Sequence, residues 1–161
     1  MIRGKFFNGY VDDLSDCFAI RRSVFIEEQN ISEAEEFDGI DETCGHYVVY
    51  NEEDRPVATG RLIKVDEHVY QIGRVATLKE HRHKGYAEFL MLSLIEKARS
   101  LGAQKLVLLA QLTAEKFYEK CGFQVENDEI IMDAGIEHHR MTYDVGLHNR
   151  TCSGCEKTGC L

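Results

Sequence analysis

An α/β fold, with helices flanking a mixed, mostly antiparallel sheet, is predicted by three observations. The runs His46–Tyr50, Val57–Val65 and Val69–Thr77 are rich in β-branched and aromatic residues and are separated only by short polar turns, the pattern of consecutive antiparallel strands. From Phe89 the apolar period changes to that of a helix. Lys105–Ala110 then returns as a continuous apolar run, as a central strand buried on both faces requires.

Ile2–Phe7 reads as a short first strand. From Asp13 the apolar residues Leu14, Cys17, Phe18, Val24 and Phe25 recur at three- and four-residue steps, which predicts a helix ending near Gln29 with Asp12 or Asp13 as its N-cap. The next segment reads as a loop. After the strand at His46–Tyr50, Glu52-Glu53-Asp54-Arg55-Pro56 makes a polar turn, and Asp66-Glu67-His68 joins the two longer strands. Phe89, Leu90, Leu92, Leu94, Ile95 and Ala98 lie along one helix that stops at Gly102. Thr113–Lys120 is a short helix capped by Thr113 and ended by Gly122, and Phe123–Val125 and His139–Val145 are the closing strands.

At 161 residues and 43% hydrophobic content, the chain is long enough for one well-cored domain and too short for two. Residues 1–146 are assigned to that domain and 147–161 to a Cys-rich tail. A net charge of -9 argues against a nucleic-acid binder, because phosphate backbones are held by clustered cations. No stretch approaches the ~20 apolar residues of a membrane span, and Met1-Ile2-Arg3-Gly4-Lys5 does not open a signal peptide, so a cytoplasmic protein with no membrane partner is expected. Between Glu27 and Glu42 stand eight carboxylates and no Lys or Arg. They form either a solvated acidic loop or a negative rim that draws a cationic ligand toward a cleft.

One segment carries specific chemistry. The strand ending at Thr77 runs into a basic loop, Arg82-His83-Lys84-Gly85-Tyr86-Ala87, that opens directly into a helix. A helix N-terminus offers unpaired N–H groups and a positive dipole end, and Gly85 with Ala87 lets a ligand approach the backbone, as a pyrophosphate site demands. Arg82-x-x-Gly85-x-Ala87 resembles the R/Q-x-x-G-x-G/A motif of the GNAT N-acetyltransferases. A second block, Gln111 to Phe123, is similar to that family's N-x-x-A-x-x-x-Y-x-x-x-G-F, with Gln111 standing where Asn is usual. A narrower likeness, to the ElaA-like and glyphosate-acetyltransferase-like branch, runs through Val24-Phe25-Ile26-Glu27-Glu28-Gln29, Glu36-Phe37-Asp38-Gly39-x-Asp41 and Ala134-Gly135-Ile136-Glu137-His138-His139-Arg140-Met141.

The resemblance implies the GNAT acyl-CoA N-acyltransferase fold and transfer of an acetyl group from acetyl-CoA to an amine, by direct attack in a ternary complex. It assigns Val75, Ala76 and Thr77 to the pantetheine arm and oxyanion through their backbone groups. Arg82, His83, Lys84, Gly85, Tyr86 and Ala87 fall to the pyrophosphate, with Arg82 and Lys84 adding charge. Gln111, Ala114 and Phe117 of the second block complete the cofactor site. Tyr118 is the implied general acid: a phenol, with a reference pKa of about 10, can protonate a thiolate yet stay neutral at rest. His138 is the implied general base, with Glu28 or a water as alternatives. Glu28, Gln29 and Asp38 are candidate acceptor contacts.

No metal is expected, and the protein is read as a monomer or homodimer acting on acetyl-CoA and an amine, a small-molecule amine being favoured. The alternatives are a non-catalytic acyl-CoA sensor, or a redox- or metal-responsive protein acting through Cys152, Cys155 and Cys160, with His148 a further ligand candidate.

Overall fold

A computed structural model describes residues 1–147. The tail cysteines Cys152, Cys155 and Cys160, and His148, lie outside the described residues. The chain runs β1 (Arg3–Asn8), α1 (Ser15–Arg21) continuing as a π-helical turn (Arg22–Glu28), α2 (Glu33–Glu36), β2 (Gly45–Tyr50), β3 (Pro56–Asp66), β4 (Val69–Thr77), α3 (Tyr86–Ser100), β5 (Lys105–Gln111), α4 (Glu115–Lys120), β6 (Gln124–Val125), β7 (Ile131–Asp133) and β8 (Ile136–Asp144). The sheet order is β1-β2-β3-β4-β5-β8-β6, with β7 also paired to β8. Every pairing is antiparallel except β4 with β5.

Two apolar clusters cover the two faces. On one, Leu90, Met91, Leu94, Ile95 and Ala98 of α3 pack with Val49, Ala58, Leu62, Ile72, Leu106 and Leu108. A Cβ at Gly60 would stand 2.7 Å from the Leu94 side chain, so the absence of one lets α3 sit down on β3. On the other face, Leu14, Cys17, Ile20, Val24 and Phe25 pack with Phe7, Val48, Tyr50 and Ala76.

Local chemistry redraws several expected elements. No side chain caps α1; Asp13 instead accepts from the Ser15 amide at 2.9 Å. The helix reaches Glu28 as predicted, but its second half widens to π geometry, with Gln29 N–H donating to Val24 C=O five residues back. The acidic loop contains α2, capped by the Ser32 hydroxyl through the Glu35 amide. The short second-block helix begins at Glu115 rather than Thr113, after a 3-10 turn at Leu112–Ala114, and Thr113 does not cap it. β7 was not anticipated; it joins β8 through Ala134 (φ 50°) and Gly135 (φ 75°), a two-residue turn with both φ positive.

The site is positioned by a single topological fact. β4 and β5 pair only over Val69–Gln71 and Lys105–Val107, then run on to Thr77 and Gln111 without pairing to each other. The edge of β4 beyond Gln71 therefore faces a gap, and unpaired strand groups must find another partner. On its other side β4 is bulged: Thr59 faces Ala76 and Arg61 faces Gly73, so Gly60 alone faces both Arg74 (φ 50°) and Val75.

Candidate active site

The loop between β4 and α3 is built to present amides. After a 3-10 turn at Lys79–His81, φ is positive at His83 (62°) and Gly85 (86°) with Lys84 negative between them. Alternating left- and right-handed residues turn successive N–H groups toward one concave side. No side chain caps α3, whose first internal bond is Phe89 N–H to Gly85 C=O at 3.1 Å. The amides of His83, Lys84, Gly85, Tyr86, Ala87 and Glu88 thus have no acceptor in the protein among the described residues. Such an array, at the positive end of a 15-residue helix, fits a phosphate.

The Arg82 side chain turns away from that array. Its Nε donates to Thr77 C=O at 3.0 Å, and its two terminal nitrogens donate to the two oxygens of Glu28 at 2.7 Å each. The hydrogen bonds from Arg82 hold the Glu28 carboxyl below its ordinary pKa, so Glu28 stays ionised and is a poor proton acceptor.

The gap between β4 and β5 opens into a cavity of about 730 Å³, within the size of small-molecule sites. Val75, Ala76 and Thr77 line it from β4, and Arg82, His83, Gly85, Tyr86 and Ala87 from the loop and α3. Gln111 lines it from β5, Ala114 from the 3-10 turn, Phe117 and Tyr118 from α4, and His138 from β8. Gln29 joins them from the π turn, and its side-chain oxygen accepts from the Gln111 amide nitrogen at 3.1 Å. Lys84, Glu28 and Asp38 are not among the lining residues.

Tyr118 is 8% exposed, packed edge-to-face against Phe117 and Phe123. Among the described residues its hydroxyl has no hydrogen-bond partner, and burial pushes its pKa well up, which keeps the proton on oxygen. His138 is 7% exposed and sits opposite Gln111 in the β5–β8 register. Its Nδ1 lies 2.8 Å from Ile136 C=O; a carbonyl only accepts, so Nδ1 carries the hydrogen and Nε2 of the neutral ring keeps a lone pair. His139, on the opposite face of β8, pairs through Nδ1 with Glu115 at 2.9 Å.

Sequence reasoning missed the arginines beside the cavity. Arg21, Arg61 and Arg74 meet Glu36, Asp38 and Asp41: Arg21 bonds Glu36 (2.7 Å) and Asp41 (2.6 Å), Arg61 bonds Asp38 (2.9 Å) and Asp41 (3.1 Å), and Arg74 reaches Glu36 and Asp38 (3.2 Å each). Burial raises the Asp38 pKa, but hydrogen bonds from Arg61 outweigh it and bring it down to about 2. Asp38 is thus occupied within this network. The only signal in the sequence was Arg61 and Arg74 interrupting otherwise apolar strand patterns. Glu35, Glu88 and Asp133 also line the cavity, and none of these carboxylates has a side-chain partner among the described residues. No group of three or more potential metal ligands occurs among the described residues.

The sequence profile of the Acetyltransferase (GNAT) family matches residues 11–123. YjcF of Bacillus subtilis, named as an N-acetyltransferase and itself uncharacterized, is 36% identical over 133 residues, 83% of this chain and 94% of YjcF. The crystal structure of Escherichia coli ElaA superposes with a TM-score of 0.78 at 26% identity, over 89% of this chain and 100% of ElaA. A Bacillus subtilis acetyltransferase crystallised in complex with CoA shares the fold, with a TM-score of 0.66 at 20% identity over 89% and 99% of the two chains.

Proposed function

The chain belongs to the GNAT acetyltransferase family and is an acyltransferase; from that premise we propose that it moves an acetyl group from acetyl-CoA to a primary amine by direct attack in a ternary complex. The observation that carries this reading is the row of acceptor-free amides from His83 to Glu88, set at the mouth of the gap between β4 and β5. Six amides on one concave loop suit a pyrophosphate, and the cavity beyond has room for an extended arm. The related fold that holds CoA supports the same choice of ligand.

Acetyl-CoA supplies the activated acyl group as a thioester, and the remaining tasks fall to the chain. The exposed edge of β4 at Val75, Ala76 and Thr77 offers backbone groups to the pantetheine arm and to the acyl oxygen, where preorganised donors have most effect. His138 Nε2 accepts a proton from the incoming ammonium, because only the neutral amine is a nucleophile. Tyr118 donates its hydroxyl proton to the departing sulfur. The ammonium loses two protons on becoming an amide: His138 takes the first and passes it to solvent. As the C–S bond breaks, the second leaves the new C–N nitrogen and replaces the proton Tyr118 gives to sulfur, so each turnover releases one proton to solvent.

Glu35, Glu88 and Asp133 are the cavity carboxylates left without arginine partners among the described residues, which favours a small cationic amine over an amino acid bearing its own carboxylate. The test is thiol release from acetyl-CoA by the purified protein against a panel of amines, with thermal unfolding followed in parallel. Acetyl-CoA should raise the melting temperature, since it binds only the folded state. An unmoved melting temperature at saturating acetyl-CoA would remove the proposal; a raised one with no turnover on any amine would point to a sensor.

A further inference from the structure

The π turn at Arg22–Glu28 ends in two consecutive residues that hold opposite walls of the cavity. Glu28 takes both terminal nitrogens of Arg82, which sits in the loop after β4, and Gln29 takes the side-chain amide of Gln111, the last residue of β5. These are the two strands whose divergence makes the site. Successive helical residues point about 100° apart, so adjacent side chains can reach walls that one residue could not. The π winding inserts the extra residue that brings Glu28 and Gln29 to this position.

Arg82 is the hub of the first link. It joins the last residue of β4, through Thr77 C=O, to the helical turn, through Glu28, while its own amide accompanies the start of the phosphate loop. With Glu28 on both terminal nitrogens, the guanidinium serves as a bracket and not as a free charge for phosphate. We infer that Glu28 is a positioning residue: by anchoring Arg82 it fixes the aim of the amides from His83 to Glu88, while the link from Gln29 to Gln111 sets the width of the gap. The same turn also lines the cavity with Val24 and Phe25, so the wall that meets the acceptor and the brace that holds the cofactor loop are one piece of chain.

This inference rests on the proposed acetyl-CoA site, and its test separates the two. CoA affinity is measured by titration calorimetry for the parent, Glu28→Gln, Arg82→Gln and the double variant, with kcat at saturating acetyl-CoA and the ligand-free melting temperature beside it. Each single substitution should weaken CoA about three- to tenfold, the scale for a part-exposed bidentate pair. The double variant should bind no more weakly than the weaker single, because both changes break one link. The rise in KM for acetyl-CoA should exceed any fall in kcat, since a positioning effect on cofactor binding weighs on KM, whereas a general loss of structure would lower the ligand-free melting temperature and kcat together. If Glu28→Gln binds CoA as well as or more tightly than the parent, Glu28 is a bystander or a competitor for Arg82 and the inference fails. Fully additive losses overturn it too. A parent that does not bind CoA at all takes down the underlying proposal and this inference with it.

Discussion

Tyr118 and His138 are each more than nine-tenths buried yet border the cavity, and each retains an unused polar atom on its ring or hydroxyl. Tyr118→Phe removes only that hydroxyl, so kcat should fall by about 10²–10⁴-fold, the usual span of a positioned acid, with CoA affinity unchanged. His138→Gln should likewise lower kcat. Steady-state rates with a productive amine, set against calorimetric CoA affinities, check both; variants that turn over like the parent would strip these residues of their roles. Arg21 makes a different kind of prediction. It is 1% exposed between Glu36 and Asp41, so Arg21→Ala leaves two buried carboxylates short of their counter-ion and should cost about 3–5 kcal/mol, read from the shift in denaturation midpoint at constant m. At this scale the sequence marked the groups with a pattern around them, Tyr118 and His138. It left Arg21, Arg61 and Arg74 unmarked because an arginine's partner is chosen by the fold, 15 to 38 positions away in the chain.

The amide-presenting loop and α3 were legible as an element because a local backbone need leaves a local signature. Gly85 stands at φ 86° where a Cβ would meet no protein atom within 4 Å, so the demand for glycine is conformational and the vacant side is the one open to ligand. Gly85→Val should lower the ligand-free stability by about 1–2 kcal/mol, the cost of a left-handed non-glycine residue. It should also abolish the rise in melting temperature with acetyl-CoA; a thermal series with and without ligand reads both effects. The β7–β8 hairpin was illegible for the converse reason. Its turn uses Ala134 at positive φ, where sequence reasoning looks for Asn or Asp, and β7 is only three residues long. The π turn was equally hidden, since its apolar residues keep helical spacing while the hydrogen bonds shift by one residue.

Across the whole molecule, the buried charges make stability depend on pH. His46 is 1% exposed, its ring nitrogen 2.9 Å from Asp41 C=O, and burial lowers its pKa below the unfolded value of 6.5. Below pH 6.5 the unfolded chain binds a proton that the folded chain refuses, so this contribution to stability is present at higher pH and is lost as pH falls. The slope cannot exceed about 1.4 kcal/mol per pH unit for one proton. His46→Gln removes that dependence: relative to the variant, the parent should lose stability between pH 7 and pH 5 in urea unfolding, and parallel curves would refute the assignment. Asp38 has the usual carboxylate sign, its contribution fading as pH drops from 3.8 toward about 2. Burial pushes the Cys17 thiol up to about 12 and the Cys44 and Cys121 thiols up to about 11, so these cysteines are packing groups rather than nucleophiles at neutral pH.

The sequence by itself determined the strand and helix periods, the amide-presenting loop and the family likeness, because each depends on residues close together in the chain, where period and spacing carry the signal. Only the tertiary structure decided that β4 and β5 part after three residue pairs, that Arg82 turns to Glu28, and that three acidic side chains of a stretch expected to be a loop are held by arginines from α1, β3 and β4. Those outcomes depend on which distant charges the fold brings within hydrogen-bonding reach, and sequence spacing does not encode that distance.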